Sequence, residues 1–238
     1  MKNENLKSAL GLGIFIFLGM AFMGYFLCTS VIKFKEYERT VMVKGLSERE
    51  YPADIALWPI HFSQAGNDLT MLYATIDSDS GKIVTFLKSN GFGEDEITKS
   101  PPSITDKLAQ GYEKSKIEYR YYATQTITVY SEKIEAVRST MNDLAELGKR
   151  GIVLTGMGYQ TTTEYLFTRL NEIKPSMVEE ATMKAREVAE KFATDSNSRL
   201  GKIKRARQGQ FTISNRDKNN PHIKKIRVVS TVEYYLSD

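Results

Sequence analysis

Residues 116–130 read KIEYRYYATQTITVY, and this stretch decides the fold class. Ile117, Tyr119, Tyr121, Ala123, Ile127 and Val129 fall on one face, and Glu118, Arg120, Thr124, Thr126 and Thr128 on the other. That period of two belongs to a strand with one buried face. Immediately downstream the period changes. Ser131 is placed to cap a helix whose Ile134, Val137, Met141, Leu144 and Leu147 recur at helical spacing, and Gly148 and Gly151 close it. A strand that runs directly into a helix, inside a chain that repeats the alternation, points to strands and helices packed together.

The same rhythm extends upstream. A strand begins at Val41, Met42 and Val43, is interrupted by Gly45 and resumes at residues 55–62, where Pro59 argues for an edge or a bulge. Asn67 or Asp68 can cap a helix over residues 69–89, with Leu69, Leu72, Ile76, Ile83 and Leu87 on its stripe and Gly91 and Gly93 at its end. Residues 95–105 suggest a short strand entering a Pro101-Pro102 corner.

Further downstream, residues 152–154 open another strand that residues 159–165 continue. The longest helix is expected over residues 171–197, with Pro175 as its first-turn proline and Val178, Ala181, Ala185, Val188 and Phe192 on its apolar stripe. So much alanine on that face calls for close packing on a sheet. Two last strands, 202–213 and 223–236, flank a loop at 215–221. At ~3.4 Å per residue the final one would span about 48 Å, long enough to be bent or shared. Together these features define an α+β chain of long antiparallel or mixed strands packed with about three helices.

Ahead of all this lies LGLGIFIFLGMAFMGYFLCTSVI at residues 10–32, without one charged side chain. As a helix it extends about 34 Å, enough for a hydrocarbon core of ~30 Å. The run exceeds the apolar region of a cleavable signal peptide and no small-x-small site follows it, which favours an uncleaved anchor over that alternative. Cys28 lacks the small residues ahead of it that a lipoprotein signal needs. The resulting division is an N-terminus at 1–9, an anchor at 10–32, a linker at 33–39 and a soluble domain at 40–238. Lysines and arginines on the two sides of the run are nearly balanced, so charge alone does not orient it.

Composition narrows the function classes. The 238 residues are 41% hydrophobic and 26% charged, which permits a packed core. The net charge is +4, of which +2 lies within residues 1–33, too mild a balance to imply a nucleic-acid partner. One cysteine allows no internal disulfide, and His61 and His222 are far apart, so neither a metal nor a cofactor is expected. No nucleophile elbow, phosphate loop, dinucleotide fingerprint or zinc motif occurs. Gly91-Phe92-Gly93 and Gly156-Met157-Gly158 read as turns or bulges. Asp77, Asp79 and Glu94-Asp95-Glu96 read as solvated charge. The chain is therefore read as non-enzymatic, with no catalytic residue assigned.

Two basic clusters remain. Lys202, Lys204, Arg205 and Arg207 form one, and Lys224, Lys225 and Arg227 the other. A hairpin of their two strands would join them into a patch for anionic lipid or an acidic protein. The bland alternative is a charged face that keeps a sheet edge soluble. Tyrosines at 112–130 and 234–235 fit sheet packing or an interface.

Several segments carry a family resemblance: VMVKG at 41–45 leading to Tyr51-Pro52-Ala53-Asp54, DIALWPI at 54–60, FTRLNEIKP at 167–175, RARQG at 205–209 and RVVSTVEYYL at 227–236. In these the chain resembles the SIMPL-domain family of bacterial envelope proteins, over residues 40–238. Ala53 between the proline and the aspartate departs from the family's Pro-Asp corner. The resemblance implies an α+β fold, a periplasmic domain on an inner-membrane anchor, ring-like homo-oligomers and, in some relatives, a link to oxidative-stress defence. It supplies no catalytic residues.

Overall fold

The computed structural model describes residues 2–36, 39–111, 118–155 and 163–237. Helix α1 runs Lys2–Glu36, and its Gly11–Val31 window is long and apolar enough to cross a membrane, with mean hydropathy 2.0 and none of it buried. Among the described residues four helices and ten strands follow, giving an α+β architecture of two antiparallel-type sheets. The chain divides into two compact units, one of residues 1–48, 175–211 and 227–238, the other of residues 49–174 and 212–226.

The second unit holds the larger core. Strand β2 (Ile55–Gly66) pairs antiparallel with β5 (Tyr121–Ser131) from Ala56↔Ser131 to Gly66↔Tyr121. Short strands β3 (Ile97–Lys99) and β4 (Ser103–Asp106), on either side of the Pro101-Pro102 corner, pair with β5. Strands β6 (Val153–Thr155) and β7 (Glu164–Leu166) pair with β2. Helix α2 occupies Leu69–Ser89, and the Asp68 side chain accepts the Met71 N–H as its cap. Its Leu72, Ile76, Ile83 and Leu87 meet Trp58, Ile60, Phe62, Ala123, Ile127 and Val129 in one apolar cluster.

Several expectations shift by a few residues for identifiable reasons. Pro59 lies in a strand paired on both sides, yet β7 covers residues 55–57 and β6 covers 61–63, so the proline falls between the two partners and no ladder bond is lost to it. The helix expected after Ser131 splits into α3 (Ile134–Asn142) and α4 (Ala145–Lys149), and the Ser131 hydroxyl accepts the Lys133 N–H before the first of them. The strand expected from residue 116 begins at Tyr121; residues 116 and 117, like the stretch 159–162, lie outside the described residues.

In the first unit, β1 (Thr40–Pro52), β10 (Ile223–Ser237) and β8 (Arg199–Gln208) form a sheet in that order; β9 (Thr212–Asn215), whose residues belong to the second unit, also pairs with β10. Strand β1 is not interrupted at Gly45 but runs through it. At fifteen residues β10 is long because it passes through both units.

Helix α5 runs Leu170–Asp195 and packs on this sheet through Met177, Ala181, Ala185, Ala189 and Ala193. The expected stripe through Val188 and Phe192 is corrected: both are exposed, at 41% and 56%. The cause is proximity. A Cβ built on Gly45 would stand 1.8 Å from the Ala181 carbonyl oxygen and 2.4 Å from the Ala185 nitrogen, so helix backbone rests on strand backbone and only alanines fit between. Pro175 lies inside the helix rather than at its first turn, because the helix already starts at Leu170.

This contact is testable. Gly45→Ala should destabilise the fold by about 1–3 kcal/mol through overpacking, seen as a lower urea midpoint by circular dichroism. Gly81→Ala on α2, where the added methyl meets nothing within 4 Å, should leave the midpoint unchanged or raise it.

Candidate functional site

The quoted motifs of the second unit converge on one carboxylate. Asp54 follows β1 at the corner into β2, and residues 167–169 lead into α5. The Asp54 carboxylate accepts the Thr168 N–H at 2.9 and 3.0 Å, the Thr168 hydroxyl at 2.9 Å and the Arg169 N–H at 3.2 Å. Arg169 Nε stands 3.4 Å from the same carboxylate, with its guanidinium carbon 5.8 Å from the Phe167 ring centre. Tyr51 packs on Phe167 at 5.6 Å between rings. Burial raises the pKa of Asp54, but the Thr168 and Arg169 hydrogen bonds outweigh it and hold the carboxyl below its ordinary value. Chemically this is a joint: an anion placed where two amide donors at a helix start would otherwise lack acceptors.

Two further carboxylates were expected as solvated charge and are not. Asp79 is buried on α2, accepting Gln64 Nε2 at 2.6 Å and Lys82 Nζ at 2.8 Å. Glu96 accepts the Ser131 hydroxyl at 2.5 Å, the Gly93 N–H at 2.7 Å and Lys133 Nζ at 2.8 Å. Burial pushes the Glu96 pKa up, yet the hydrogen bonds from Lys133, Ser131 and Gly93 bring it down to about 2. Asp79 ties the middle of α2 to β2, and Glu96 ties the turn after α2 to the end of β5. Nothing in a composition count distinguishes them from surface charge; beyond the local Lys82 and Gly93, their partners Gln64, Ser131 and Lys133 lie 15–37 residues away.

The structure does not gather the two basic clusters by strand pairing. Strands β8 and β10 are antiparallel neighbours as expected, but the register sets Gln208 opposite Ser230 and Arg199 opposite Ser237. Lys224, Lys225 and Arg227 therefore lie beyond the stretch of β10 that faces Lys202, Lys204, Arg205 and Arg207. Arg205 sits opposite Glu233, and Lys204 bonds Glu233 at 3.1 Å while its ammonium lies 5.8 Å from the Tyr235 ring centre. Lys224 is only 8% exposed and bonds the Asn215 side chain; burial lowers its pKa, with Glu164 opposing.

His61 shares a hydrogen bond of 2.8 Å between Nδ1 and the Thr126 hydroxyl, whereas its buried Nε2 has no protein partner among the described residues. His222 lies 6.0 Å from Tyr165, ring to ring. Among the described residues, no three His, Cys, Asp or Glu side chains converge as a metal-binding group. A groove of about 680 Å³ lies between α5 and β8 and is lined by Thr182, Met183, Ile203 and Tyr234, with Glu179 and Arg186 among its polar residues. Sequence reasoning missed it, although Ile203 inside the basic run RLGKIKRARQ is the one signal that marks it.

An apolar N-terminal helix followed by two interleaved α+β units, held by carboxylate joints, defines the class: a one-helix membrane-span candidate carrying an α+β region. More particularly, the chain belongs to the SIMPL family, described as proteins of unknown function (DUF541), whose model matches residues 41–232. No curated protein matches the chain.

The joints set the acid response. Both folded pKa values lie below the ordinary carboxylate ones, so the stabilisation is fully present above those values and is lost as pH falls through the folded pKa. For Glu96 that window runs from 4.5 down to about 2. Glu96→Gln should lower the urea midpoint at pH 7 and flatten its decline across that window. Asp54→Ala should destabilise by roughly 1–2 kcal/mol at pH 7 by stranding the amides at the α5 start.

Proposed function

We propose that this chain is a non-enzymatic, single-pass protein of the bacterial inner membrane whose α+β region lies in the periplasm and self-associates. The observation that carries the reading is the first unit's sheet. Among the described residues, no strand pairs with the outer edge of β1 or of β8. Strand β8 is exposed at nine of its ten positions, with Ile203 at 50%. Free edges of this length invite pairing with another chain unless they are blunted. Pairing β8 with a second β8 would oppose Arg199, Lys202, Lys204, Arg205 and Arg207 with the same five cations. Pairing it with β1 of another copy, where Lys44 and Arg49 are balanced by Glu48 and Glu50, opposes the cations with a strand of no net charge and continues the sheet head to tail. Such contacts close into rings or run on as filaments. A role in envelope or oxidative-stress defence is consistent with the family and is part of this proposal.

The groove between α5 and β8 supports a second reading, a binding module that takes a small apolar molecule, a lipid chain or a partner segment against Met183, Ile203 and Tyr234.

The full chain in mild detergent, sized by light scattering with the detergent contribution removed, should give a multiple of the subunit mass. Ile203→Lys should reduce it to the single-subunit mass while leaving the circular dichroism unchanged. A wild-type protein of one subunit mass sinks the self-association reading and leaves the binding module.

A further inference from the structure

One end of the first unit is fixed close to α1 by the chain itself. Helix α1 extends to Glu36 and β1 begins at Thr40, so at most about 14 Å of chain separates them. The Arg39 carbonyl accepts the Leu236 N–H at 2.8 Å, and Leu236 and Ser237 lie opposite Leu200 and Arg199. Arg39 Nη2 also reaches the Ser198 hydroxyl at 3.4 Å, just past the end of α5. The start of β1, the end of β10, the start of β8 and the last turn of α5 therefore share this end.

Met42, Phe192 and Tyr235 are exposed here at 65%, 56% and 37%, and Arg39, Arg199 and Lys202 are exposed as well. Val43 and Tyr234 pack with α5, so Met42 and Tyr235 lie on the other face of the sheet and Phe192 on the helix, all near the same end. The far end of the same unit carries Glu48 and the Ser47–Glu180 hydrogen bond beside Arg205, Arg207 and Arg227. Apolar and aromatic side chains interleaved with arginine and lysine are the composition that settles at a bilayer's headgroup layer.

We propose that this end of the first unit is a membrane-docking surface. Met42, Phe192 and Tyr235 enter the interface of the bilayer that α1 crosses, and Arg39, Arg199 and Lys202 meet anionic headgroups. The inference rests on α1 being an uncleaved anchor. Docked in this way, the unit stands its strands on the membrane and turns the outer edges of β1 and β8 along the membrane plane, where a second copy can reach them.

The test uses the full chain in phosphatidylethanolamine–phosphatidylglycerol vesicles, with nitroxide labels read by power saturation against oxygen and a nickel chelate. A label on the native Cys28 reports the anchor. In a Cys28→Ser background, Ser196→Cys reports the docking end and Gln208→Cys, exposed at the far end of β8 in the same unit, the aqueous phase. The label at 196 should show headgroup-depth accessibility, clearly more oxygen-weighted than at 208. Arg199→Gln should reduce the docked-to-free ratio about fivefold, the factor one cation contributes at an anionic surface, and Phe192→Ser should reduce it as well.

If the label at 196 matches that at 208 while Cys28 reads as buried in the bilayer, docking is wrong and the anchor stands. A nickel-accessible Cys28 overturns the anchor and the docking with it. A label at 196 that is shielded from both reagents, and freed on dilution with empty vesicles, shows a second copy on this surface and overturns the lipid assignment.

Discussion

The first unit depends on the contact of Gly45 with the backbone of α5. Helix and strand can approach this closely only because position 45 has no side chain and the helix presents alanines at 181, 185, 189 and 193. A helix seated so tightly over β1 cannot also cover β8. The uncovered edge strand, the groove beside it and the outward turn of Val188 and Phe192 are consequences of one close approach.

The second unit is organised differently. Its core is a conventional apolar layer between α2, α3 and the sheet, and its corners are fixed by Asp54, Asp79 and Glu96. A carboxylate satisfied by two or more donors is a stiff joint, and one left bare inside a fold would be costly. The motifs that mark the family therefore map in part to structure. Tyr51 and Asp54 meet Phe167, Thr168 and Arg169, while the Arg205–Gly209 segment runs beside the closing strand, where the Gly209 N–H bonds the Val229 carbonyl at 2.8 Å. The recurring residues that can be placed in this way hold segments of the chain together.

What remains for function is surface. The described features that are not absorbed by packing are the strand edges, the α5–β8 groove and the mixed apolar and basic end beside the anchor. All belong to the first unit, and the proposals of self-association and membrane docking rest on them.

The amino-acid sequence determined, without any coordinates, whatever depends on local periodicity. The apolar run became α1, residues 69–89 became α2 with Asp68 as cap, and the alternation in residues 121–131 became β5 with its odd-numbered residues from 123 onward buried. These patterns are set by spacing along one element. Only the tertiary structure decided which face of α5 is inside, since Val188 and Ala189 are both apolar and the choice turned on how near Gly45 lets the helix come. Likewise the register of β8 against β10 parted the two basic clusters, and burial turned Asp79 and Glu96 from surface charge into joints. Each of these depends on partners distant in sequence, and a period within one segment carries no record of them.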